Sequence, residues 1–267
     1  MLTSMRGLIA ASLIAACALA ATPVLADQAD PPKDVTITGS AAIVSQYRFR
    51  GLAQSDNKPV VQGAITVSHA SGFYVGTWGS SASAGSGPIN IGGTEIDVFG
   101  GFTHGLGTSG VTVDTGVYGY IYPGATTGNY YEVYGSLAKT LGPATAKVGA
   151  YYAPPQKVFN YNFTSPTRHN TYVYGELTSG VPGTPLTVHS HLGHTGGGFD
   201  YGKQYLDYNV GLTYKMRNLS FDASLVGTDL SKSDINAGFG CANNPGCINN
   251  YNRMSKTVGV FSVTASF

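Results

Sequence analysis

Residues 257–267, TVGVFSVTASF, alternate in character toward the carboxyl end. Phe261, Val263, Ala265 and Phe267 are apolar, whereas Ser262, Thr264 and Ser266 between them are small and polar. Successive side chains of a strand point to opposite faces, so a period of two gives one oily face and one wet face. In water such a terminal strand would leave Phe267 uncovered, so the oily face needs a covering other than solvent.

The same alternation recurs upstream. It runs over about 34–47, 60–70, 73–81, 94–104, 111–122, 129–141, 144–153, 169–178, 186–195, 205–216, 219–228 and 255–267, roughly twelve segments in all. In 94–104, Ile96, Val98 and Phe102 oppose Glu95 and Asp97; in 205–216, Leu206, Tyr208, Val210, Leu212, Tyr214 and Met216 oppose Asp207, Asn209, Thr213 and Lys215. Connection lengths alternate as well. ASG at 70–72, GLGTSG at 105–110, LGP at 141–143, GVPGTP at 180–185 and RN at 217–218 are short, and longer loops stand between them, the longest at about 229–254, with PGATTG at 123–128 the only modest member of the long set. A barrel with both termini in the periplasm has short turns at one rim and long loops at the other, whereas a soluble sandwich has no reason to sort its loops. The expected fold is therefore all-β, a transmembrane antiparallel up-and-down barrel of about twelve strands. No amphipathic segment of helical length is expected.

Composition supports an exported chain. Its 267 residues include 37 Gly, 18 Tyr and 11 Phe, with only 11% charged residues. The balance of 15 Lys and Arg against 14 Asp and Glu offers no basic field for nucleic acid. Arg6, the apolar stretch from about Leu8 to Ala21, and Val24-Leu25-Ala26 read as a signal peptide, residues 1–26, cleaved after Ala26; residues 27–267 then form a single barrel domain. A lipoprotein box at Cys17 is the competing reading. Beyond the leader no run of eighteen or more apolar residues exists, which leaves tilted strands of roughly 9 to 11 residues as the means of crossing a membrane.

Cys241 and Cys247 in CANNPGC lie in the last long loop, and in an oxidising exterior they are expected to form a disulfide. His189 and His191, two apart on one strand, would share the inner face and could hold a cation or serve as polar lumen residues. Projecting the alternation inward places Glu95, Asp97, Asp114, Glu132, Glu176, Asp207 and Asp222 in the lumen against Arg48, Arg50, Lys147 and Lys215. Glu95, Asp97, Asp114 and Glu132 fall on three consecutive strands and could form one acidic wall, with Arg48 and Arg50 near the outer mouth. The alternative is a plugged interior in which these charges pair. No metal site, cofactor or catalytic constellation is assigned; no GxSxG occurs.

Residues 40–81, SAAIVSQYRFRGLAQSDNKPVVQGAITVSHASGFYVGTWGSS, resemble the opening of the TorF-type porins of bacterial outer membranes. Tyr47, Arg48, Arg50, Gly51, Gln54, Ser55, Pro59, Gln62, Gly63, Gly72, Tyr74, Gly76 and Trp78 fit that family's pattern, while Gln46 and Ala53 stand where it more often has Asp and Ser. The resemblance implies an outer-membrane barrel that passes small hydrophilic solutes or ions, surrounded by outer-membrane lipid, without catalytic residues. The inward acids add a mild preference for cations. A non-conducting structural or adhesive barrel, or an outer-membrane lipolytic enzyme, is the alternative. An aromatic final residue is similar to the signal read by the barrel-assembly machinery, which gives Phe267 a role as both assembly signal and lipid-facing end.

Overall fold

The computed structural model describes residues 34–83, 92–159, 168–200, 203–238 and 241–267. The leader 1–26 and the lead-in 27–33 lie outside the described residues. Among those described, twelve strands close into one antiparallel barrel. They are β1 (Val35–Val44), β4 (Val60–His69), β5 (Phe73–Ser81), β6 (Thr94–Gly105), β7 (Val111–Ile121), β8 (Tyr130–Leu141), β9 (Ala144–Ala153), β10 (Asn170–Gly180), β11 (Leu186–Gly197), β12 (Tyr205–Met216), β13 (Leu219–Thr228) and β14 (Val258–Ser266). Two two-residue strands, β2 (Arg48–Phe49) and β3 (Leu52–Ala53), pair only with each other.

Each wall strand pairs with its neighbours in sequence, and β1 returns to close on β14 from Ser40↔Ser266 to Val44↔Ser262. The pleat then sorts the side chains. Ile43, Val61, Val75, Leu192 and Phe261 stand exposed on the outside, while Tyr74, Tyr118, Glu132 and Asp207 are buried inside. A closed sheet leaves no backbone edge unpaired, which is what a hydrocarbon surrounding requires. No helix among the described residues is long and apolar enough to cross a membrane. Phe267 is 70% exposed, on the same outward parity as Phe261 and Val263.

The departures from expectation lie in the long loops. The first strand ends at Val44 rather than 47, because residues 45–59 turn inward and carry β2 and β3 into the barrel. The last long loop holds two helices that the pattern did not reveal: α1 (Lys232–Gly238) and α2 (Pro245–Ser255). Residues 255–257 accordingly belong to a helix end and a connection, with β14 starting at Val258. The signal for α2 was present: Asn244 precedes Pro245, and its side chain accepts from the amides of Gly246 (2.9 Å) and Cys247 (3.2 Å), an N-cap before a first-turn proline. The Cys241–Cys247 disulfide forms, bridging the connection between α1 and the first turn of α2.

Candidate functional site in the barrel lumen

The site begins with a turn. Between β2 and β3, Arg50 (φ 47°) and Gly51 (φ 79°) are the two central residues of a two-residue hairpin, and both take left-handed conformations. Turns of this kind favour Asn-Gly or Gly-Gly; arginine in that position is disfavoured by roughly 1–2 kcal/mol. Gly51 tolerates it and is also crowded, since a Cβ there would meet Thr228, the Gly227 carbonyl and Asp207 of the wall. Ser55 braces the loop by accepting from the Tyr47 amide (2.9 Å) and donating to the Lys58 carbonyl (2.7 Å).

This plug delivers Arg50 into the barrel. Its Nη2 meets Glu132 Oε2 at 2.5 Å, and its guanidinium lies over Tyr172 (4.2 Å), Phe49 (4.8 Å) and Tyr151 (5.5 Å). Arg48 points back to the loops: it donates to Gln46 Oε1, the Gly51 carbonyl, Asn57 Oδ1 and the Met254 carbonyl at the end of α2. Burial, with Arg253 nearby, lowers Arg48 to about 10, so it remains charged at neutral pH. Arg253 pairs with Asp56, and this hydrogen bond draws the Asp56 carboxyl below its ordinary range. Asn57 adds a bond to the Arg253 carbonyl at 3.1 Å. The helix α2 thus sits as a lid on the plug. Arg48 and Arg50 stand on an inward loop, and of the two only Arg50 pairs with a wall carboxylate.

The remaining candidates lie on the inner face of the strands. Glu95, Asp97, Glu132, Asp207 and Asp222 are buried, and Asp114, Lys147, Glu176 and Lys215 are half-buried on the same face. They do not form one wall. Glu95, Asp97 and Glu132 lie toward the long-loop ends of β6 and β8, while Asp114 is the fourth residue of β7 from the short-turn end, opposite Thr103 and Ser136. Lys147 stands directly across from Glu176, which in turn is opposite His191.

The feature the residue tally missed is the tyrosines. Tyrosine hydroxyls donate to five of the acids: Tyr47 to Glu95 (3.2 Å), Tyr118 to Asp97 (2.9 Å), Tyr74 to Asp114 (2.6 Å), Tyr120 to Glu132 (3.1 Å) and Tyr172 to Asp207 (3.0 Å). Tyr74 also bonds Tyr134. The rings lie on one another, as in the stacked pairs Tyr120–Tyr130 (4.2 Å) and Phe99–Tyr118 (5.2 Å). The 18 Tyr were visible in composition, and the parity of VYGYIY and YYEVY already aligns Tyr118, Tyr120, Tyr130 and Tyr134 with Glu132.

The two lumen histidines take separate partners. His189 Nε2 meets Asp222 Oδ2 at 2.7 Å, and that carboxylate also accepts from Thr213 (2.7 Å) and Ser224 (2.5 Å). His191 bridges Tyr172 (2.6 Å), Glu176 (3.2 Å) and Asp207 (3.3 Å). Against the plug lies a cavity of about 160 Å³. Ser40 and Ala42 of β1 and Ser262 and Thr264 of β14 line it with small side chains; Tyr118, Tyr151, Tyr172, Tyr174, Glu176, His191, Asp207 and Asp222 line it with aromatic and ionisable ones.

An apolar exterior, a closed antiparallel wall and a polar, part-filled lumen define a transmembrane β-barrel. Two porin structures share the architecture. The NanC porin superposes with a TM-score of 0.54 at 11% identity, over 87% of this chain and 99% of that one. The KdgM porin in complex with disordered oligogalacturonate gives 0.52 at 12% identity, over 87% and 99%. No curated protein resembles the chain in sequence. Residues 28–267 match the model of a family described as a bacterial protein of unknown function, Gcw_chp, and the chain belongs to that family.

Proposed function

We propose that the protein is an outer-membrane porin-like channel of the TorF type, exported through a cleaved signal peptide and passing small neutral or cationic hydrophilic solutes. The observation that carries this reading is the polar lumen itself: acids, tyrosine hydroxyls and a cavity of about 160 Å³ within a wall whose outer face is apolar. The residues bearing the TorF resemblance have physical tasks here, since Tyr47, Arg48, Arg50, Gly51 and Ser55 build the plug. KdgM is recorded with an oligogalacturonate; an acid-rich lumen disfavours such a polyanion. Phe267 would serve as the mark read by the assembly machinery.

Planar-bilayer recording of the purified full chain tests the reading. Discrete conductance steps in potassium chloride are expected, and protein that inserts without raising conductance would overturn it. The second reading, a non-conducting structural barrel, draws on the plug inside the barrel, whose Arg50 pairs with the wall carboxylate Glu132 at 2.5 Å. A lipolytic reading gains nothing from the one Ser, His and Asp cluster described, because Ser224 donates to Asp222 rather than to His189.

A further inference from the structure

We infer that Glu132, Tyr151 and Tyr172 form a receptor for guanidinium-type organic cations, and that Arg50 of the plug occupies it as a built-in competitor; the inference deepens the channel reading and rests on it. The wall supplies a buried carboxylate and two ring faces, the combination that binds a planar cation with N–H donors. Arg50 fills this box imperfectly. It makes a single bond to Glu132, through Nη2 and Oε2, while Arg50 Nη1 and Glu132 Oε1 are both buried without a hydrogen-bond partner. A free guanidinium can approach Glu132 as a two-pronged fork and satisfy both carboxylate oxygens; the hairpin holds Arg50 away from that geometry. The hairpin itself is strained at Arg50, with φ 47° where glycine or asparagine is preferred, so the turn sequence is poorly explained by the turn alone. Immediately beside the box lies the cavity, carrying Glu176, His191 and Asp207, through which a displaced plug would expose the box to solute. Solute binding and plug release are then the same event.

The test uses the full chain, ring-labelled on tyrosine, in detergent micelles, with methylguanidinium as the probe and tetramethylammonium, which has the charge but no N–H, as the control. In Arg50→Gln the signals of Tyr151 and Tyr172 should shift saturably with methylguanidinium at about tenfold lower concentration than in wild type, because the competitor is gone. Tetramethylammonium should produce no such shift, and adding Glu132→Gln should abolish it. Heat-modifiable gel migration verifies that each variant is folded; should Arg50→Gln fail to fold, the wild-type barrel decides alone. In bilayers, wild type should conduct several-fold more in methylguanidinium than in tetramethylammonium after correction for ion mobility. Equal affinity in wild type and Arg50→Gln, or equal effects of the two cations, would overturn the receptor while leaving a conducting porin intact. A barrel that conducts in no salt would overturn the channel reading, and the tyrosine shifts would still decide the receptor.

Discussion

Phe267 donates its amide to the Gly39 carbonyl at 3.0 Å and its carbonyl accepts from the Gly39 amide at 2.8 Å, so the last residue holds the closing seam. Its ring lies over Gly39, where a Cβ would collide with it. Removing Phe267 deletes both bonds and the ring cover, a loss of about 1–3 kcal/mol at the seam. A lower urea midpoint and a smaller fraction of heat-modifiable folded barrel are expected, with export unchanged; a normal yield and midpoint would refute the role. A second residue effect lies on α1. The Ser231 hydroxyl, with the Ser231 amide and Lys203, holds the Asp234 carboxyl at about 2, below the ordinary 3.8. A depressed carboxylate contributes its stabilisation in full above 3.8 and loses it as pH falls through about 2. Following the carboxyl carbon by NMR should give a midpoint near 2 that rises toward 3.8 in Ser231→Ala. Alternation made the facing of Glu95, Asp97 and Glu132 legible, because a period of two needs no knowledge of neighbours. The parity of Tyr118 and Tyr120 was legible in the same way, but the Tyr47 partner of Glu95 was not, since that pair spans 48 residues and depends on how the plug folds.

Ten of the twelve wall strands were read to within two residues at each end, and for a physical reason: each is bounded by lipid on one side and by polar groups on the other, so its pattern is strong. The plug and lid escaped because their stability comes from contacts between loops, not from any periodicity. Arg48 illustrates the point, joining Gln46, Gly51, Asn57 and Met254 from two distant segments. Arg48→Ala removes these charged hydrogen bonds, and about 2–3 kcal/mol of local stability is expected to go with them. Amide exchange in 46–58 and in α2 should accelerate together, while exchange in β6 to β13 stays slow. Acceleration of one segment alone would show that lid and plug are not a unit. The same division predicts the topology in cells. External protease should cut near 229–254, and cleavage at 142–143 or 217–218 from outside would invert the assigned orientation.

At the scale of the whole molecule the question is what the charge pattern does once the lumen is open. Replacing residues 46–58 by a short Gly-Ser linker leaves the twelve-strand pairing untouched, because in the sheet β2 and β3 pair only with each other. The variant should fold and conduct several-fold more than wild type. It also removes Arg48 and Arg50, so Glu132 loses its cationic partner and keeps only the Tyr120 hydrogen bond, while the wall acids Glu95, Asp97 and Asp114 stay. An unpaired carboxylate in a narrow, low-dielectric passage attracts cations more strongly than one in open water. The reversal potential in a salt gradient should therefore move toward the cation side relative to wild type. Below about 0.1 M salt, where the screening length exceeds about 10 Å, the movement should be larger. Replacing Glu95, Asp97, Asp114 and Glu132 by Gln or Asn in the plugless barrel should send it back toward the anion side. If the plugless barrel conducts and the four-fold replacement leaves its reversal potential unchanged, those four acids do not act on the ions that pass. Selectivity would then rest on Glu176, Asp207 and Asp222, which face the cavity.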